Sequence, residues 1–197
     1  MKPATSRALS ATIRAVELGL RKLGRPHMIV GGIAIIARGV PRLTRDVDAT
    51  VWAPGLDLRD LVNALGQQRI AGRVPDFIQL AKENQVVFLE HTPTKTPLEI
   101  LLAWLPFELV AMQRAETLKL GSVNAPVALA EDLVIYKVAA WQDRDRDDVE
   151  RLLVLHAAHM DLSRIRELVR QFAEALDAPE RIVEFEQVLG RALGTTR

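Results

Sequence analysis

Apolar residues at Leu9, Ile13, Val16 and Leu20 recur three and four apart within residues 6–23. That spacing predicts an amphipathic helix, closed by Gly24. The run at 28–30 predicts a short buried strand that ends at Gly31-Gly32, and 33–38 predicts one or two helical turns. Residues 46–51, Asp-Val-Asp-Ala-Thr-Val, alternate with a period of two and predict a second strand, stopped by Pro54-Gly55. Further helices are predicted over 56–65 and 76–83, with a loop or weak strand at 70–75 between them. The β-rich runs 86–90 and 98–102 flank a polar turn, His91 to Pro97, and so predict a hairpin. A helix over 106–116 carries Pro at its first turn.

Beyond Ala130 the pattern is helical throughout, with helices predicted over 131–141, 144–156, 161–175 and 179–193. Pro126, preceded by the breakers Gly121 and Asn124, marks the expected boundary. The expected fold class is therefore α/β (α+β): a mixed sheet flanked by helices in residues 1–125, then a C-terminal helical bundle in 126–197. No internal repeat or low-complexity segment interrupts this plan.

Composition narrows the chemistry. The 197 residues are 49% hydrophobic, which argues for a packed protein and against disorder. With no cysteine, disulfides, zinc-thiolate sites and a cysteine nucleophile are excluded. The first residues lead into an Arg-containing amphipathic stretch, and no run approaches eighteen apolar residues, so a soluble cytoplasmic protein without membrane attachment is expected. The net charge is only +1, but it hides an asymmetry: nine basic residues and the single acid Glu17 occupy the first 45 positions, leaving about −7 for the remainder. A basic end would draw in anionic substrates, either nucleotide or RNA, or present a solvated cationic face.

The segment from His27 to Val51 concentrates the candidate chemistry. Gly31-Gly32 ends the first strand where backbone can approach a phosphate, and the following helical turn would face the same phosphate with its amides. Asp46 and Asp48, on one strand face, repel unless a cation lies between them, and hard oxygen ligands suit Mg²⁺ (or Mn²⁺). No Walker-type loop is present.

Strand, Gly31-Gly32, short helix, basic loop and Asp-x-Asp strand together resemble the active-site motif of polymerase-beta-like and minimal nucleotidyltransferases. Arg42-x-Thr44-x-Asp46-x-Asp48 after Gly31-Gly32 is more closely similar to the AbiEii-type toxins of prokaryotic toxin–antitoxin pairs. The resemblance implies a metal-dependent transfer of NMP from an NTP, such as ATP, to an acceptor hydroxyl. RNA, with the 3′ end of tRNA foremost, is the implied acceptor, and a cognate antitoxin protein is the implied partner. The family's third carboxylate falls on Glu99, with Glu90 as rival; Asp46, Asp48 and Glu99 form the implied metal set. Arg42 matches a triphosphate contact, while Thr44 reads as satisfying backbone groups at the strand entrance. Two departures stand out: Gly-Ser is more usual where this chain has Gly31-Gly32, and the third acid is usually Asp.

The later family motifs, a helix with Lys followed by Arg-Asp-x-x-Asp, match Lys137 and Arg144-Asp145 with Asp147 or Asp148, the register open by one. Lys137 would contact a phosphate and Asp147 would orient it or the nucleotide. Alternating acids and arginines are also what an ion-paired helix start looks like. A catalytically degenerate nucleotide- or partner-binding module is the alternative reading. A plain RNA binder using the basic first helix lacks the aromatic interleaving such surfaces show.

Overall fold

The computed structural model describes residues 7–194 of the chain. Two compact units emerge: residues up to Ala37 with Pro41–Ala128, and Arg38–Val40 with Leu129 onward.

The first unit is built on a seven-stranded mixed sheet in the order β3-β4-β5-β2-β1-β7-β6. Helix α1 (Arg7–Arg21) presents Ile13, Val16 and Leu20, all at 0% exposure, as its buried stripe. Ser6, the expected first residue of that helix, lies outside the described residues. β1 (His27–Val30) runs straight into α2 (Gly31–Ala37), and β2 (Val47–Trp52) returns antiparallel to β1. α3 (Leu58–Gly66) is capped by Asp57, whose side chain accepts from the Arg59 amide. β3 (Ile70–Gly72), α4 (Phe77–Asn84), β4 (Val86–His91) and β5 (Thr96–Ala103) follow, β4 and β5 forming the expected hairpin. β5 lies parallel to β2, with Asp48 opposite Glu99.

After α5 (Pro106–Arg114) the chain does not pass directly to the helical part at the boundary expected at Pro126. Residues 116–127 form a second hairpin, β6 (Glu116–Leu120) and β7 (Val123–Val127), and β7 joins the sheet parallel to β1. Gly121, read as a breaker before the boundary at Pro126, is the hairpin turn at φ +62°. Pro126 lies inside β7, opposite Thr117. Strand propensity at 116–120 is weak and its burial is shallow, so only pairing with β7 makes it a strand.

The second unit is helical: α6 (Ala130–Ala140), α7 (Asp143–His156), a short 3₁₀ turn (Ala157–His159), α8 (Leu162–Ala175) and α9 (Glu180–Ala192). Its core is Leu133, Val134, Leu152, Leu153, Ile165 and Phe185, each at most 1% exposed. His156 hydrogen-bonds through Nε2 to the Arg38 carbonyl at 2.7 Å, which ties the 38–40 segment into this unit and leaves that nitrogen unavailable as a metal ligand. Among the described residues no helix is long and apolar enough to cross a membrane.

Candidate active site

Positions 42 to 48 alternate. Arg42, Thr44, Asp46 and Asp48 are half-buried, whereas Leu43 (95% exposed) and Arg45 point to solvent. Extended backbone throws every second side chain to the same side, so the Arg-x-Thr-x-Asp-x-Asp spacing becomes a row of four. Asp46 precedes β2 in a bend rather than lying in the strand, and Asp48 is the second residue of the strand.

The two glycines form the floor of this row. Gly31 adopts φ +60°, and a Cβ there would lie 1.9 Å from Asp48 Oδ2. A Cβ on Gly32 would meet Thr44 Oγ1 at 2.5 Å and the Arg42 guanidinium carbon at 3.6 Å. Both glycines are therefore required by the motif that follows them. Thr44 donates from Oγ1 to Asp46 Oδ1 at 2.6 Å, so its hydroxyl orients a carboxylate, where the sequence suggested a backbone role.

Glu99 occupies the neighbouring position on β5 and shares the Asp48 face. Its strand alternates, with Leu98, Ile100 and Leu102 buried and the Glu99 side chain 39% exposed, so this charge avoids the cost of deep burial that an apolar strand suggested. Glu90, the rival, stands on β4 opposite Pro97 and pairs with Lys95 at 3.1 Å; it does not neighbour Asp48. Arg73 was not legible as a site residue. Its guanidinium reaches Glu99 at 3.5 Å and lies over the Phe88 ring, 5.7 Å from the centroid, while Phe88 is the β4 partner of Glu99.

Among the described residues no three His, Asp or Glu side chains gather closely enough to hold a metal by themselves. Asp46 and Asp48 nonetheless suit Mg²⁺, an ion that takes one or two carboxylates and completes its octahedron with water and substrate phosphates.

In the helical unit the lysine-centred cluster is well defined. Lys137 Nζ lies 2.5 Å from Asp145 Oδ1 and 3.3 Å from Asp148 Oδ2, and Asp145 also accepts from the Gln142 amide at 2.8 Å. Asp145 and Asp148 are buried. Asp147, the expected partner, is exposed. The physical reason is helical spacing: 145 and 148 are three apart and share a face, and 147 cannot join them. Arg144 is exposed as well, while Arg146 pairs with Glu184 at 2.8 Å and stacks on Trp141.

No protein-family model matches the chain, and no curated protein matches it by sequence. Solved structures do. The antibiotic-resistance factor ANT(2'')-Ia superposes with a TM-score of 0.52 at 15% identity, over 90% of this chain and 96% of that one. An inferred nucleotidyltransferase from H. pylori superposes with a TM-score of 0.50 at 15% identity, over 98% of this chain and 100% of that one. The fold is nucleotidyltransferase-like.

Within that fold, the Gly31-Gly32 junction, Asp48 of β2 and Glu99 of β5 are one neighbourhood, joined by β1–β2 and β2–β5 pairing, with Asp46 just before β2. Lys137 belongs to the other unit, with its own two carboxylates.

Proposed function

We propose that the chain is a metal-dependent nucleotidyltransferase that moves NMP from an NTP to an acceptor hydroxyl. The observation that carries the reading is the pairing of Asp48 with Glu99 across β2 and β5, with Gly31 pressed against Asp48. Asp46 and Asp48 would hold Mg²⁺ or Mn²⁺ together with triphosphate oxygens; such an ion would neutralise charge on the phosphates. Arg42 would contact the triphosphate, and Thr44 keeps Asp46 turned toward it. Thr44 also brings its hydroxyl over Gly32, where the family more often has a serine. The acceptor oxygen attacks the α-phosphorus and forms a new P–O bond. The bond from α-phosphorus to its bridging oxygen breaks and pyrophosphate leaves. Glu99 takes the hydroxyl proton, and Arg73 positions Glu99.

Lys137, held by Asp145 and Asp148 rather than Asp147, is the proposed phosphate contact of the helical unit. The acceptor would be RNA, at a tRNA 3′ end, and the biological role that of an AbiEii-like toxin restrained by an antitoxin in the cytoplasm. Resemblance of the 42–48 motif supports these finer points.

One observation favours the second reading, a non-catalytic nucleotide-binding module: Arg73 already supplies Glu99 with a counter-ion. Transfer of label from each α-³²P NTP to total RNA and protein, with Mg²⁺, separates them. Label on RNA that disappears in Asp46→Ala/Asp48→Ala supports the enzyme. Label on protein would move the acceptor, and metal-dependent NTP binding without any label would favour the silent module.

A further inference from the structure

The sheet unit carries a groove of about 650 Å³ away from the carboxylates. Arg7, Ser10 and Arg14 of α1, Gln68 and Arg69 before β3, and His91 at the end of β4 line it. Register puts it on the other face of the sheet. Glu99 is opposite both Asp48 and Phe88, and His91 is three residues beyond Phe88, so its side chain leaves β4 on the reverse side.

The charges in this groove are uncommitted. Among the described residues Arg7, Arg14 and Arg69 form no ion pair and no side-chain hydrogen bond. Their neighbours are engaged: Arg21 with Glu17, Lys22 with Gln67, Arg25 with the Pro54 and Gly55 carbonyls. Three unpaired guanidiniums facing one concavity repel one another unless an anion joins them. Arg69 holds this place with φ +59°, a backbone conformation that side chains rarely adopt.

His91 is the second observation. It is 4% exposed; its Nδ1 meets Thr12 Oγ1 at 3.1 Å and Thr94 Oγ1 at 2.8 Å, and its Nε2 is not sealed from solvent. Nε2 has no hydrogen-bond partner among the described residues. Burial and the nearby Arg69 charge hold the imidazole below its usual pKa, an effect that a bound anion would oppose.

The shape selects the class of anion. Arg7 and Arg14 are seven residues apart on one helix face, about 10 Å along the axis, so the cations are spread along the groove rather than gathered at one point. No Phe, Tyr or Trp lines the groove, so it offers no broad stacking platform for bases. We propose that this groove binds the phosphodiester backbone of a single-stranded RNA segment, holding an RNA acceptor from the face opposite the carboxylates. The site deepens the RNA-acceptor reading above and rests on it for its purpose.

The test is fluorescence anisotropy of a 5′-labelled single-stranded RNA with the full chain, without NTP, across a KCl series. Three phosphate contacts contribute about −2 to the slope of log K against log salt. Arg7→Gln/Arg14→Gln/Arg69→Gln should weaken binding at least tenfold and flatten the slope by about 2, while the corresponding triple lysine variant should keep the slope. Arg14→Glu alone, at an exposed helix position, should weaken binding if the triple variant proves unstable. Asp46→Asn/Asp48→Asn should bind as wild type, so failure of transfer and failure of this site are separable. Unchanged affinity and slope in the charge variants would overturn the proposal. So would displacement of the RNA by tripolyphosphate at equal concentration, which would mark a small-polyphosphate site.

Discussion

Gly31 directly follows Val30, the β1 partner of Asp48, and a methyl group on the glycine would overlap the Asp48 carboxylate at 1.9 Å. The positive φ of Gly31 adds about 1–2 kcal/mol for any L side chain. Gly31→Ala should therefore lose transfer activity and stability together, because Asp48 must move. Urea denaturation beside a labelled-NTP assay checks both; full activity in a folded variant would contradict the packing.

Thr44 donates to Asp46 at 2.6 Å. Hydrogen bonds to charged groups are worth about 1.5–3 kcal/mol. Thr44→Val should lower kcat/KM for the NTP by about tenfold or more, whereas Thr44→Ser should stay near wild type. Equal losses in both variants would assign the effect to the methyl group rather than the hydroxyl.

Arg73 and Glu99 are partly exposed, so their ion pair should contribute less than about 1 kcal/mol. Arg73→Gln should leave the melting temperature nearly unchanged but alter the Mg²⁺ concentration for half-maximal rate, because a competing cation is removed from Glu99. An unchanged Mg²⁺ requirement would separate Arg73 from the metal set.

Lys137 pairs with two buried carboxylates. Breaking such a pair costs about 3–5 kcal/mol by leaving charge buried. Lys137→Met should destabilise the protein by that order in chemical denaturation, and Asp147→Ala by no more than about 0.5 kcal/mol. The reverse ranking would restore Asp147 as the lysine's partner.

His27 links to Glu17 at 3.1 Å. Burial pushes the imidazole down, but the Glu17 hydrogen bond and charge and the Arg25 carbonyl outweigh it and hold the pKa above the usual value. Burial likewise pushes Glu17 up, and its bonds to His27 and Arg21 more than reverse this. The His27 contribution is thus complete below its unfolded pKa and is lost as pH rises through the raised folded value; the Glu17 contribution is lost as pH falls through its lowered one. Thermal melts should show stability declining as pH rises through the raised His27 pKa, and His27→Gln should flatten that decline.

The local elements were largely readable from the chain. Ile13, Val16 and Leu20 announced α1, and the alternation through Asp46 and Asp48 announced β2, because a period of 3.6 or 2 is a property of neighbouring residues. The same alternation put Asp46 and Asp48 on one face, but that Arg42 and Thr44 join their row emerged only in the structure. β6 and β7 were invisible: Glu116, Lys119, Asn124 and Pro126 carry no strand pattern, and their strand state exists only through pairing with each other and with β1.

Glu99 could be named from its place in β5, but its choice over Glu90 depended on the parallel register that sets it beside Asp48. Arg73 depended on β3 and β4 pairing, and the Arg7–Arg14–Arg69 groove on an approach of α1 to residues more than fifty positions away. Sequence determined which groups stand on which local face, since dihedral geometry repeats over a few residues. Tertiary structure decided which of them meet, because strand register and helix packing are settled by burying apolar surface far apart in the chain.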